Sequence, residues 1–209
     1  SVVTTLINGI LGALPQLASV AMTLVATLAT GLSENLDGLI PTVVSVIAEM
    51  QKHRTNGNTL KAKQLGKHLA EIFIDEPTLL SDLEAEVGKI KRDDDDMYQI
   101  KVLLIFTAEY CINHHLTATV LSNTATNAMY DTISKKAAQF YDRLDDAAEY
   151  SFYYLAVRKA VDISKNIGVS FAMLCGEKKD EYYTNLGKRL FEVAEYEITK
   201  IIDSFGFEK

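Results

Sequence analysis

The sequence predicts an all-α fold: a helical bundle of about six or seven helices preceded by an apolar two-repeat helical segment. Three observations carry this expectation. Apolar residues recur at helical spacing from residue 58 onward, no alternating β-branched run bounded by turn residues is present, and the first fifty residues repeat around two prolines. The 209 residues suffice for a self-sustaining core, and 48% apolar with 23% charged residues is an ordinary globular balance. A net charge of −7 argues against nucleic-acid binding, which needs a surplus of Lys and Arg to neutralise phosphates.

Residues 1–50 contain no Lys, no Arg and no aromatic residue, and their only charges are Glu34, Asp37 and Glu49. All 18 aromatic residues lie from Phe73 onward. The polar stretch 51–57, which ends on an Asn56-Gly57 turn signal, is therefore read as a linker between an apolar repeat segment at 1–50 and a helical domain at 58–209.

The first segment has an internal period of 26: Leu6, Gly12, Leu14, Pro15, Ser19 and Val20 recur as Leu32, Gly38, Ile40, Pro41, Ser45 and Val46. Pro15 and Pro41 read as helix starts, where the missing N–H is no loss, and Gly31 reads as a closing residue. Between Pro15 and Gly31, Ser19, Thr23, Thr27 and Thr30 fall on one face beside an apolar stripe of Val20, Leu24 and Leu28. That stretch is shorter than the ~20 residues a bilayer asks for, so packing against protein is expected, with membrane contact through residues 1–33 as the rival. No basic residue precedes Lys52, so a secretory signal is not expected, and a cytoplasmic location follows.

The order Leu6-Ile7-Asn8-Gly9-Ile10-Leu11-Gly12-Ala13-Leu14-Pro15-Gln16-Leu17, with a second Leu39-Ile40-Pro41 after an Ala/Val/Thr/Leu helix, resembles the hydrophobic repeats of phage tail tape-measure proteins. The resemblance covers about a quarter of the chain. It implies a structural role as a helical ruler within a tail tube, hence a virion location, and it brings no catalytic residue.

In the second part, Ala62, Leu65, Leu69, Ile72 and Phe73 keep helix spacing until Pro77, which should end the run. Leu79, Leu80, Leu83, Val87 and Ile90 form the next stripe. Asp93-Asp94-Asp95-Asp96 precedes a strongly apolar helix, where carboxylates suit the dipole and supply cap acceptors, and it lacks the Gly and terminal Glu of a calcium loop. Further helices are expected over Thr117–Leu144, Asp145 to about Lys165, Val169–Leu174 closed by Gly176, and Asp180–Ser204, with Asn166-Ile167-Gly168 as a connection. Phe152 to Arg158, apolar on several sides, reads as the central helix.

No complete catalytic or cofactor-binding set emerges, and no cofactor is expected. The eleven glycines form no phosphate-binding pattern. Cys111 stands three and four positions from His114 and His115, one helix face, but a closed zinc site needs four ligands, and Cys175, His53 and His68 lack paired spacing. His68 with Glu71, and Glu192 with Glu195, lack the Glu-x-x-His order of helical di-iron sites. Two cysteines in apolar surroundings read as buried hydrophobes.

The expectation is therefore a non-catalytic structural or interaction protein whose residues 1–50 associate with copies of themselves or with a partner protein. The rival is a small-ligand receptor or enzyme with Cys111, His114, His115, Tyr150, Tyr153 and Tyr154 as ligand or interface candidates, since tyrosines pack their rings and keep their hydroxyls near water.

Overall fold

In a computed structural model the residues described are 44–53, 57–90, 94–145, 148–158, 161–176 and 180–208. Of the sequence repeat only Ser45 and Val46 fall among them; its prolines, Gly31 and the hydroxyl stripe lie outside. The described residues are helical and contain no strand. The chain divides into two units, Ser1–Lys52 and His53–Lys209.

Of the first unit, residues 44–52 are described: they belong to a helical stretch over 44–53, and each is exposed. Val44, Val46, Ile47 and Met50 are 59%, 43%, 48% and 49% accessible.

The second unit is a bundle of eight described helices: α1 (Asn58–Ile74), α2 (Glu76–Val87), α3 (Asp94–His115), α4 (Thr119–Lys136), α5 (Ala138–Asp145), α6 (Glu149–Arg158), α7 (Ile163–Leu174) and α8 (Glu181–Ser204). Its main packing pairs are α1 with α4, α7 with α8, and α3 with α8.

The central helix is α3. Ile100 and every residue from Val102 to Ala108 are buried, a helix apolar all round being stable only inside a core. Thr107, the one polar member of that run, donates its hydroxyl proton to the Leu103 carbonyl at 2.8 Å, so its burial leaves no orphan. The segment expected to be central, Phe152 to Arg158, is peripheral instead: only Tyr153 and Ala156 are buried in α6, while Phe152, Tyr154 and Leu155 reach solvent. Apolar content on several faces does not separate a core helix from one that shows an aromatic flank.

Several boundaries also differ from the sequence reading. The first break falls at Asp75, and Pro77 sits in the first turn of α2, where its absent N–H is harmless. The long run Thr117–Leu144 is interrupted at Ala137. Asn166-Ile167-Gly168 is no connection but the middle of α7, which starts at Ile163 behind Asp162. The Asp162 carboxylate accepts from the Lys165 N–H at 3.2 Å and so caps the helix. Gly168 is there because α8 passes over it: a Cβ would overlap the Thr184 carbonyl oxygen and stand 3.1 Å from the Lys188 nitrogen. Gly176 does close α7, at φ 80, a left-handed conformation that side chains disfavour.

The described part of the acidic cluster begins α3. Asp95 pairs with Arg143 at 3.1 Å, and buried Asp96 accepts from the Tyr183 hydroxyl at 2.9 Å, so these carboxylates tie α3 to α5 and α8. The Arg143 guanidinium also lies 3.6 Å from the Tyr98 ring centroid.

Candidate functional site

The strongest polar constellation gathers around Glu109 of α3. Phe106, one turn earlier on the same face, is fully buried and makes edge contacts with Tyr150 at 5.9 Å and Tyr154 at 5.2 Å between ring centres. Tyr150 and Tyr154 are four residues apart, so α6 presents both rings on one face. The Tyr154 hydroxyl donates to Glu109 Oε1 at 2.6 Å and the Tyr130 hydroxyl of α4 donates to Glu109 Oε2 at 2.7 Å. The Tyr130 and Tyr150 hydroxyls lie 3.0 Å apart. Since the single Tyr130 proton goes to the carboxylate, Tyr150 is the donor in that pair.

Three helices thus meet on a chain of hydrogen bonds in which three phenols are donors and one carboxylate receives two of them. Burial, with the carboxylate beside it, pushes the Tyr130 phenol well above its ordinary range. Tyr150 is raised by burial and then by Tyr130, and Tyr154 by burial and then by its bond to Glu109. Phenols held this way stay protonated and donate, so they position groups and do not serve as bases. Beside them a shallow depression of about 480 Å³ is lined by Ser151, Tyr154, Leu155 and Arg158.

Tyr153, between the two site tyrosines in sequence, points elsewhere. It is completely buried against Phe106, with ring centres 5.2 Å apart, and its hydroxyl has no hydrogen-bond partner among the described residues. Burial pushes its phenol well above the ordinary value, with Cys175 and Glu149 adding to the effect.

Cys111 lies two positions beyond Glu109, about 200° around the helix, and therefore faces α8. Its sulfur is 3.9 Å from the Glu195 carbonyl oxygen, and burial pushes the thiol up to about 12. His115 meets the Thr199 hydroxyl at 3.2 Å, while His114 stacks on Tyr110 at 6.0 Å and is exposed. Both imidazoles stand in the last turn of α3, where a positive charge complements the helix dipole. Four of the six candidate residues are therefore split between two faces of α3: Tyr150 and Tyr154 gather at Glu109, whereas Cys111 and His115 face α8. Among the described residues no group of three or more His, Cys, Asp or Glu could hold a metal ion.

Glu109 and Tyr130 were missed by reading the sequence. Glu109 has a local signal, as the one charge between Phe106 and Ile112 in a strongly apolar run. Tyr130 has none, because its partners are 20 and 21 residues away.

No protein-family model matches the chain, and neither does any curated protein or solved structure.

Proposed function

We propose that the chain is a non-catalytic helical interaction protein, in which residues 1–50 form an assembly segment and the 58–209 bundle is a binding module. The observation that carries this reading is the helical stretch 44–53, whose Val44, Ile47 and Met50 recur at three-residue spacing with Val46 beside them, all substantially exposed. Full burial of such a side chain is favourable by roughly 1.5–3 kcal/mol, so covering this half-exposed face with another helix yields several kcal/mol. The chemistry of the strongest catalytic candidates points the same way. A thiol raised to about 12 is a poor nucleophile at neutral pH, and both oxygens of Glu109 accept hydrogen bonds from phenols.

The assembly is proposed to be a self-association, with a phage tail as its setting. That setting rests on the residue order of Leu6 to Leu17 and on the 26-residue period. Location in the virion or in the cytoplasm belongs to the same proposal. No described helix is long and apolar enough to cross a membrane.

The test is sedimentation equilibrium of the full chain over a range of concentrations, beside the double variant Ile47→Glu/Met50→Glu. Concentration-dependent association that the variant loses, with its helical circular dichroism retained, is the expected result. A chain that is monomeric at every concentration would sink the self-association reading.

A further inference from the structure

A groove in the bundle has a chemically two-sided lining. It runs between α1, α2 and α8 and encloses about 720 Å³, within the roughly 300–1,000 Å³ typical of small-molecule sites. Its floor is core: Phe73, Leu83, Leu104 and Ile198 are each at most 6% exposed, and half-buried Ile72 and Ile201 continue the apolar surface up the sides.

α2 borders the groove and is fixed at both ends and through two core side chains. Leu79 and Leu83 are its only buried residues. Glu76 at its start pairs with Lys101 at 2.5 Å, and at its end Arg189 of α8 donates to the Val87 carbonyl at 3.2 Å and to the Glu86 carbonyl. Between these ties, Ala85 of α2 and Ala194 of α8 are too small to fill the space.

The rim carries the opposite chemistry. Five carboxylates, Glu71, Asp75, Asp82, Glu86 and Glu197, line the groove against a single histidine, His68. Lys136 neutralises Glu71 at 2.7 Å and Lys200 neutralises Glu197 at 2.9 Å. That leaves Asp75, Asp82 and Glu86 without an ion pair within 4.0 Å among the described residues, the Lys200 ammonium also feeling the charge of Glu86 from its pair with Glu197. Asp82 and Glu86 are four apart, both exposed, and both line the groove. An anionic amphiphile would meet like charge at this edge, whereas a cationic one would find two carboxylates within reach of its head while its tail covers the floor.

We propose that this groove binds an amphipathic organic cation, a small molecule with an aliphatic body and an ammonium head, the body lying on Phe73, Leu83 and Ile198 and the ammonium between Asp82 and Glu86. The site lies wholly within the His53–Lys209 unit, so it stands or falls separately from the self-association of residues 1–50.

The test is a methyl NMR titration of the full chain with n-octylammonium chloride and, in parallel, sodium octanoate at the same concentrations. Octylammonium is expected to shift the methyls of Ile72, Leu83, Ile198 and Ile201 saturably, and octanoate to leave them in place. Asp82→Asn with Glu86→Gln, both exposed, should weaken octylammonium binding by about tenfold at unchanged thermal midpoint. Ala85→Phe, which fills the groove from an exposed position, should abolish the shifts. Equal response to both probes, shifts at other methyls, or no response would each overturn the proposal. So would a Lys/Leu amphipathic helical peptide that binds the groove when octylammonium does not, which would assign it to a helical partner instead.

Discussion

Asn58 holds the backbone of Glu208 as a neighbouring strand would: its Oδ1 accepts from the Glu208 N–H at 3.0 Å and its Nδ2 donates to the Glu208 carbonyl at 2.6 Å. The amide is fully buried at the start of α1 and also stands 3.3 Å from His53 Nδ1. One side chain thus fastens the C-terminal residues to the first helix of the bundle, helped by Lys61, whose ammonium donates to the Gly206 carbonyl at 2.6 Å. Asn58→Ala should cost about 2 kcal/mol, because it removes two part-buried hydrogen bonds to the Glu208 backbone. Asn58→Asp should cost more at neutral pH, since it places a carboxylate against a carbonyl oxygen. Urea unfolding measures both, and hydrogen exchange at Glu208 should lose protection in each. An Asn58→Ala protein of unchanged stability would mean that the tail is not held by this amide.

Helices α1 and α4 approach closely at Gly66 and Ala125. A Cβ at Gly66 would overlap the Ala125 carbonyl oxygen and approach the Met129 nitrogen to 2.9 Å. Alanine in a helix interior is worth about 1 kcal/mol over glycine, so propensity alone predicts a gain from Gly66→Ala. Backbone contact wins, because a carbonyl cannot rotate away as a side chain can, and a net loss of roughly 1–2 kcal/mol is expected from overpacking. A Gly66→Ala protein as stable as the parent in urea would refute contact between the two backbones.

Tyr153→Phe removes a buried hydroxyl that has no partner among the described residues. A desolvated, unpaired group costs about 1–3 kcal/mol, so this substitution should raise stability by roughly 1 kcal/mol while keeping the ring contact with Phe106. Tyr130→Phe, by contrast, breaks two hydrogen bonds and should lower stability by a similar amount. Thermal melts of the two variants should move in opposite directions. Losses in both would show that the Tyr153 hydroxyl is satisfied.

Cys111 should resist thiol reagents in the folded chain, because it is fully buried and its thiol is raised to about 12, whereas Cys175 is partly exposed. Maleimide labelling near pH 8 should modify Cys175 first and Cys111 only after unfolding, so Cys175→Ser should remove the native-state reaction. Rapid labelling of Cys111 in that variant would place it at the surface.

The helical class was legible because helices leave a 3.6-residue period that survives without any alignment, as at Ala62, Leu65, Leu69 and Phe73. Breaks were less legible, since they depend on what passes over the chain. Gly168 reads as a loop residue locally, yet the Thr184 carbonyl sixteen positions away keeps it small within α7. The candidate site was half legible for the same reason. Tyr150 and Tyr154 were singled out as tyrosines, but the carboxylate they converge on is 41 residues upstream of Tyr150, and nothing local to α6 announces it. Cys111 and His115 do share a side of α3, as their spacing requires. What that side faces, Glu195 and Thr199 of α8, was beyond a one-dimensional reading.

The buried phenols set a limit on alkaline stability. Tyr130, Tyr150 and Tyr153 are all held above their ordinary value, burial being the main cause in each. In the unfolded chain a tyrosine loses its proton near pH 10. Above that pH the unfolded state binds fewer protons than the folded state, so the sign is a loss of stability as pH rises, with none below it. Each such group contributes about 1.4 kcal/mol per pH unit between its unfolded and folded pKa values, and three together about 4. Cys111 adds to the loss from its unfolded value up to about 12. A domain stable by roughly 5–15 kcal/mol should therefore unfold cooperatively within a few units above pH 10. Tyrosinate absorbance and far-ultraviolet circular dichroism, followed together, should show these buried phenols ionising in the same step as helix loss. Complete titration of all ten tyrosines near their ordinary value, with helicity retained, would show that Glu109 and Phe106 do not enclose them.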